Sequence, residues 1–229
     1  MLILMLILFI VITSILLFFI SSSINYQFDI ITNTPVGTPP QGISSTPSIP
    51  SITNTPPNTK TEVVPGQQPT KNNKPNNNDN ALMDNVNKYR ASKNLPPIPI
   101  SQDAWLVAAT HNWDLKNNNT GWSGQGQQGC SAHSWSNQPG KWVGCCYNLS
   151  QPNGNCMWPK PKEIAGSTMQ GFEIGSSGMP NMTPDSALQM WANSPLHNDV
   201  MINANMWTGP WKGFGCSLNE NEQSCWFLK

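Results

Sequence analysis

Apolar and polar residues recur with helical spacing in residues 79–95. One face of this segment is formed by residues three and four positions apart, namely Leu82, Val86, Tyr89 and Lys93. This spacing is typical of an amphipathic helix. Asp79 or Asn80 is a suitable N-cap, and the following Pro-Pro-Ile-Pro predicts the end of the helix.

A second helix is predicted over residues 101–119. Ser101 can cap it and Asp103 stands in its first turn, where the helix dipole favours an acid. Its apolar stripe consists of Leu106, Ala109 and Trp113. His111 lies off this stripe, so we expect it on the exposed surface of the helix.

The rest of the pattern is shorter and mixed. Residues 121–164 are rich in Gly, Pro, Trp and Cys without any period, which predicts a long cross-linked loop. A short strand carrying Glu173 is predicted at residues 171–177, and two more strands are predicted at residues 211–218 and 224–228.

The clearest helix signal lies before the last two strands. Thr183 is a suitable N-cap, Pro184 occupies the first helical position, and Ser194-Pro195 predicts the stop. The order is therefore helix, helix, loops, strand, helix, strand, strand. Strands and helices do not alternate regularly in this order, which favours an α+β fold with mixed layers.

The sequence before these elements has a different character. Residues 2–20 are apolar apart from one Thr and one Ser, and small serines follow them. Residues 1–23 are thus predicted to be a signal peptide or an uncleaved signal anchor. Residues 24–80 are predicted to be a disordered linker rich in Pro, Thr, Ser and Asn, either an O-glycosylated stalk or a plain spacer. The folded domain is expected at residues 81–229.

All six cysteines lie in residues 81–229, and cysteines behind a secretory signal predict disulfides. Cys216 and Cys225 flank a polar turn between two apolar segments, so a hairpin would place them opposite each other as a pair. The other four cysteines are Cys130, Cys145, Cys146 and Cys156. Two pairings of these four stay open, because a bridge between the adjacent Cys145 and Cys146 would be strained.

Charge excludes one class of partner. Within residues 81–229, nine Lys and Arg residues balance nine Asp and Glu residues. A domain without net positive charge has little to neutralise phosphates, so we expect no nucleic-acid partner. Three Asn-x-Ser/Thr sequons are candidate glycosylation sites of a secreted product, namely Asn118, Asn148 and Asn181.

Three residues are the candidates for chemistry. His133 and His197 lie outside the predicted helices and strands, and Glu173 lies on a predicted strand. Two imidazoles and a carboxylate can bind zinc with open coordination positions or can transfer protons. Neither HExxH nor GxSxG is present, and no nucleophile is specified.

His197 has two interpretations. Pro195 would end the preceding helix and Leu196 would be buried, which would aim His197 into a cleft opposite His133. Alternatively, His197 is a polar residue at a helix C-terminus, where the dipole favours a protonated imidazole.

Six short motifs occur in order along residues 81–229. They are VNKYRASKNLPP, the Ala-rich second helix, AHS around His133, GFEIG around Glu173, WANSPLH ending at His197, and GFGC. Together they resemble the CAP superfamily, also called the SCP/TAPS or pathogenesis-related-1-like domain. The resemblance implies a three-layer α-β-α sandwich, stapled by disulfides, with a central cleft.

In that cleft, the resemblance implies that His133 and His197 are the metal ligands. Glu173 would accept a ring N–H or hold a metal-bound water. The same three residues would be the catalytic candidates in an enzymatic member. The family's cleft has a second acidic residue, in the helix before the second histidine, and this chain has no clear match for it. Asn193 and Asp199 lie nearby in sequence, but neither occupies the motif position.

The resemblance implies a secreted or surface-tethered binder without enzymatic activity. Its ligand would be a sterol, another lipid or an extracellular protein, and its cofactor zinc or another divalent cation. The alternatives are a metal-assisted or His/Glu-based hydrolase, such as a protease, and a structural wall or coat module. Membrane contact is expected only through residues 2–20, if they are not cleaved. The ten Trp residues suit an apolar groove, although core packing is their more common use.

Overall fold

The computed structural model describes residues 61–118, 129–148 and 154–229. The predicted signal or anchor segment 1–23 and linker residues 24–60 lie outside these ranges. Within the described ranges, no helix combines the length and apolar character needed to cross a membrane.

The described residues form short and long elements in a mixed order. The strands are β1 Thr61–Glu62, β2 Asn73–Lys74, β3 Gly171–Ser177, β4 Gly213–Leu218 and β5 Glu222–Leu228. The helices are α1 Asn77–Ser92, α2 Gln102–Asn118, α3 Pro184–Ala192 and α4 Pro195–Ile202. Three short helical turns connect them, namely Gly154–Cys156, Pro161–Ala165 and Asn205–Trp207.

Helix α1 begins earlier than its predicted N-cap. Asn76 is the N-cap, and its side chain accepts a hydrogen bond from the backbone N–H of Asp79 at 2.9 Å. The Asp79 carboxylate accepts in return from the backbone N–H of Asn76 at 3.1 Å. This reciprocal pair satisfies two otherwise free donors, so Asp79 lies inside the first turn and the prediction of Asp79 or Asn80 as N-cap was wrong.

The predicted boundary between linker and domain is also corrected. Residues 61–80 have defined structure: β1 and β2 pair in parallel, and α1 already begins at Asn77. The Trp113 Nε1–H of α2 donates to the Gly66 carbonyl at 3.2 Å. Composition predicted disorder here because these residues have few apolar side chains, but backbone hydrogen bonds and contacts with α2 order them.

The predicted helix stop at Ser194-Pro195 separates two helices. Helix α3 is capped by Thr183 as predicted and ends at Ala192. Pro195 is then the first residue of α4, a position where its fixed φ suits a helix and its missing N–H costs no hydrogen bond. Residues 195–202 were expected to be non-helical, so α4 is an element that the pattern missed.

The three predicted strands form one antiparallel sheet with the order β3-β5-β4. Residues of one sheet face, including Ile174, Phe214 and Phe227, pack in a single core with α1, α3 and α4. The opposite face, including Trp226 and Leu228, packs against α2 and the turn Pro161–Ala165. The predicted α+β fold with α-β-α layers is therefore confirmed.

Helix α2 approaches the sheet unusually closely. Gly215 of β4 lies under it, and a Cβ atom on Gly215 would be 2.1 Å from the backbone nitrogen of Trp105. Asn112 of the same helix donates to the carbonyls of Ser217 at 2.9 Å and Glu222 at 3.2 Å. The helix is therefore buried on several sides, by the sheet and by the loop residues beyond it.

Three disulfides join the six cysteines. Cys216 pairs with Cys225 across neighbouring positions of β4 and β5, as predicted. Of the two pairings left open for the other four, the structure has Cys130–Cys146 and Cys145–Cys156. Both bridges clamp the loop that contains His133.

Candidate functional site

The centre of the candidate site is the carboxylate of Glu173 on β3. Its side chain is 1% exposed and accepts three hydrogen bonds. His111 Nδ1 lies 2.5 Å and Trp226 Nε1 2.9 Å from Oε1, and His133 Nδ1 lies 2.8 Å from Oε2. Burial alone would raise the pKa of Glu173, but the charge of His111 and the hydrogen bonds from both histidines lower it to about 2.

His111 is not on the helix surface, as was expected, but is fully buried. Its Nε2 lies 2.9 Å from the carbonyl oxygen of Ser134, which can only accept, so Nε2 carries a proton. Its Nδ1 faces the ionised Glu173. Burial lowers the pKa of His111, but the carboxylate and the hydrogen bonds outweigh burial and raise it. His111 is therefore an imidazolium, stacked on Trp135 at 4.1 Å between ring centroids.

His133 is fixed in one tautomer by the same carboxylate. Because Nδ1–H donates to Glu173, the neutral ring carries its lone pair on Nε2. No hydrogen bond to Nε2 occurs among the described residues, and the side chain is 13% exposed. Tyr147 packs edge-on against the ring at 5.2 Å. Burial and the charge of Glu173 raise the pKa of this tyrosine, so it stays protonated.

His197 lies in the first turn of α4, so its interpretation as a residue at a helix C-terminus was wrong. Its neighbour Leu196 is 78% exposed and not buried as expected, because a new helix begins at Pro195 and turns Leu196 outward. The Nδ1 atom of His197 is buried and has no hydrogen-bond partner among the residues that the structure describes. Burial, followed by the charge of His133, lowers the pKa of His197.

The remaining acids do not complete a metal cage. Asn193 is the exposed C-cap of α3, and the Asp199 carboxylate accepts from the side chain of Asn205 at 2.7 Å. In the described ranges, no group of three or more His, Cys, Asp or Glu side chains is arranged to hold a metal ion. Among the described residues, Nε2 of His133 and Nδ1 of His197 are therefore imidazole nitrogens without a hydrogen-bond partner, and Glu173 lies behind His133.

The candidate glycosylation sites differ in their surroundings. The Asn118 side chain donates to the Asp114 carboxylate at 2.6 Å, and Asn148 is half-buried. Asn181 is exposed and has a positive φ of 61°, a conformation that asparagine tolerates. Modification of any of the three stays a prediction.

The family model described as "Cysteine-rich secretory protein family" (CAP) matches residues 83–228 of the chain. This chain belongs to the CAP family. The predicted resemblance is thereby confirmed, and the matched residues begin within helix α1. No curated protein matches the chain.

Three solved structures are similar to the CAP domain. An extracellular protein containing a SCP domain from Bacillus anthracis str. Ames is 20% identical, with a TM-score of 0.44, 66% of this chain covered and 40% of that chain. A cysteine-rich secretory protein from Staphylococcus aureus subsp. aureus Mu50 is 14% identical, with a TM-score of 0.42, and the match covers 66% of this chain and 38% of that chain. An outer surface protein from Borrelia burgdorferi is 15% identical, with a TM-score of 0.41 and coverage of 66% and 90%. The chain thus spans about two fifths of the length of the first two.

The functional residue that sequence reasoning missed is His111. A signal for it was present, because Ala104, Ala108, His111 and Leu115 recur at helical spacing and are all buried. Small alanines along a helix allow close contact with a second element. The predicted apolar stripe through Leu106 and Trp113 covers one face of α2. The folded domain buries at least two faces of this helix, and His111 lies on a face outside that stripe.

Proposed function

We propose that the CAP domain is an extracellular binding module whose histidine site holds a divalent cation such as zinc. The observation that supports this most is the pair of unpartnered ring nitrogens, Nε2 of His133 and the buried Nδ1 of His197. Buried polar atoms normally have a partner. A metal ion would supply one to His197, and Glu173 would orient His133 in the way that carboxylates orient metal-bound histidines.

The donor set fits a weak site. Two imidazoles suit zinc, but protein zinc sites usually have three or four protein ligands. His133 and His197 would hold the ion, and water or a ligand group would complete its coordination. The bound ion would act as a Lewis acid that attracts an oxygen or nitrogen atom of the ligand.

Binding is favoured over hydrolysis because Glu173 is unsuited to proton transfer. A general base works best with a pKa near the operating pH, whereas the pKa of Glu173 is about 2. Its two oxygens are also occupied by His111, His133 and Trp226. A hydrolase or protease would therefore need a base from outside this group.

The surface next to His197 supports an apolar ligand. Leu196 is 78% and Met206 79% exposed, and they lie on α4 and on the turn that follows it. We propose that these side chains contact a sterol, another lipid or an extracellular protein partner. Most Trp residues of the described chain are core residues, so they contribute little to this surface.

Location outside the cell is part of the same proposal. The apolar residues 2–20, the three disulfides and the family of secretory proteins support export. Whether residues 2–20 are cleaved or serve as an anchor is tested by the intact mass of the exported product. A mass that lacks residues 1–23 supports secretion, and the full mass supports the anchor.

Zinc titration of the exported chain by calorimetry tests the metal site. We expect one binding event that is lost in both His133→Ala and His197→Ala. The matched control is Asp199→Asn, which removes a carboxylate two positions from His197 that is bonded to Asn205, and it should bind like the wild type. Zinc binding that survives either histidine substitution, or none in the wild type, would contradict the metal site.

A second experiment separates binder from wall module. Liposomes containing a sterol are incubated with wild type and Leu196→Ser, and the lipid carried by the protein is measured. We expect transfer by the wild type and several-fold less by the variant. If neither carries lipid and no extracellular protein is bound, the structural-module alternative is favoured.

A further inference from the structure

A concave site lies at a part of the fold that contains none of the histidines. A half-open cavity of about 390 Å³ lies between residues 63–69, the start of α1, α2 and the turn from β4 to β5. We name residues 63–69 the strap. None of His111, His133, Glu173 and His197 lines the cavity. The strap lies before residue 83, where the family match begins, so this wall of the cavity comes from outside the part shared with the family.

The strap is attached at two points. The Trp113 indole of α2 donates to the Gly66 carbonyl at 3.2 Å, and Lys141 donates to the Gln68 side chain. The floor of the cavity includes Trp105 and Leu218, which are buried in α2 and β4. The cavity is thus built from rigid elements on one side and a tethered segment on the other, and its volume lies in the range of small-molecule sites.

The charged groups of the cavity are already paired. Lys116 and Glu220 form an ion pair at 3.1 Å. Asp79 accepts hydrogen bonds from the Trp105 indole and the backbone N–H of Leu218, and burial raises its pKa. Each of these side chains already has a hydrogen-bond or ion-pair partner within the fold, so none is free to select an ion, which disfavours phosphates, carboxylates and cations as ligands.

The uncharged lining combines indole rings with side-chain amides. Trp113 supplies the aromatic surface that a ligand can reach, because Trp105 is fully buried. Gln67, Asn78 and Asn181 supply amides that have no side-chain hydrogen bonds within the described residues. A ligand that covered these amides with hydrocarbon would leave them unpaired, at a cost of about 1–3 kcal/mol for each group. A lipid chain is therefore a poor match for this cavity.

We propose that the cavity binds a neutral saccharide unit. A sugar ring has an apolar C–H face that can pack on an indole, and it has hydroxyl groups that both donate to and accept from amides. It carries no charge, which matches a lining whose charged side chains already have partners within the fold. This site is separate from the histidine site and does not depend on the function proposed above.

The test uses the exported full chain, produced without N-glycosylation so that no glycan at Asn181 fills the cavity. Tryptophan fluorescence and calorimetry follow its titration with di- and tetrasaccharides of N-acetylglucosamine, glucose and mannose. We expect saturable binding of at least one of them, with a Kd of about 1 mM or below. Trp113→Ala and Asn78→Ala should each weaken it about tenfold or more.

Two control variants separate this site from other surfaces. Trp158→Ala removes an exposed indole that does not line the cavity, and His197→Ala removes the proposed metal ligand; both should bind the saccharide like the wild type. Asn78→Ala leaves the contact of Trp113 with the strap intact, so a loss in this variant cannot be assigned to a loosened strap.

Three outcomes overturn the proposal. One is that no saccharide in the set binds below about 10 mM. Another is saccharide binding that neither Trp113→Ala nor Asn78→Ala weakens. The third is that laurate, or a synthetic peptide of residues 24–60, binds with sensitivity to Trp113→Ala while no saccharide does, which would assign the cavity to a lipid or to the chain's own linker.

Discussion

At the scale of single residues, Glu173 determines the state of all its neighbours. Its negative charge keeps His111 protonated, and its second oxygen selects the tautomer of His133. A buried ion pair such as His111 and Glu173 is a weak source of net stability, but the loss of one partner leaves an uncompensated charge. The pair therefore sets the protonation states of the site, and removal of either partner would lower the stability of the fold.

Glu173→Gln should destabilise the chain by about 3–5 kcal/mol, because it leaves the His111 imidazolium buried without its counter-ion. The pH dependence has a defined sign. The pKa of Glu173 falls from 4.5 to about 2 on folding, so its contribution is complete above pH 4.5 and is lost as the pH falls towards 2. The free-energy difference between wild type and variant should therefore shrink over this window.

Urea unfolding followed by tryptophan fluorescence at a series of pH values measures this difference. A direct comparison with Glu173→Gln is needed because the pKa values of Asp79 and Glu222 are raised by burial, which gives them the opposite slope. Glu220→Gln, at an exposed carboxylate, is the control and should change stability by about 0.5 kcal/mol or less. A difference between wild type and Glu173→Gln that is constant from pH 6 to pH 2 would contradict the ionised, buried Glu173.

At the scale of elements, helix α2 explains why the fold was easier to predict than the site. Periodicity and capping signals located α1, α3 and the three strands of the sheet, because each has one apolar face or a clear turn chemistry. Helix α2 is buried on more than one side, so a single-stripe interpretation placed His111 on the surface. The short α4 was missed because Ser-Pro both ends one helix and begins the next.

The candidate site shows the same limit. The hydrogen bond between His133 and Glu173 joins residues 40 positions apart, so it arises from long-range contacts of the folded chain and not from a local sequence pattern. The Ser134 carbonyl that fixes His111 carries no sequence signal at all. Backbone groups of any residue type can accept such a bond, so only the structure reveals this part of the site.

The close approach of α2 to β4 leads to an element-scale prediction. Gly215→Ala should destabilise the chain by more than about 3 kcal/mol, since its Cβ would overlap the backbone of Trp105 and force the helix away from the sheet. Gly175→Ala on β3 is the matched control, with the nearest atom 3.2 Å from its Cβ, and it should cost clearly less. Thermal unfolding of both variants gives the ranking, and equal losses would contradict a close contact specific to Gly215.

At the scale of the whole molecule, one disulfide lies within the sheet and the other two hold the loop that carries His133. Cys216–Cys225 joins two strands that the sheet already holds together. Cys130–Cys146 instead closes the loop that carries His133, and Cys145–Cys156 ties that loop to the turn before Pro161–Ala165. Within this loop, antiparallel bridges pair Trp135 with Cys145 and Gln138 with Trp142. The disulfides and the buried Lys160 add to these backbone hydrogen bonds.

Replacing Cys130 and Cys146 together by serine should therefore affect stability and the histidine site at the same time. Opening this loop, with a separation of 16 residues, should cost about 3 kcal/mol and should weaken zinc binding, because His133 is no longer held against Glu173. The control is the joint replacement of Cys216 and Cys225 by alanine, which also lowers stability but leaves the His133 loop closed. Calorimetry of both variants under folding conditions separates the two effects. Equal loss of zinc affinity in both variants would mean that zinc binding depends on overall stability. Loss only in the variant without Cys130 and Cys146 would mean that zinc binding depends on the cross-linked loop.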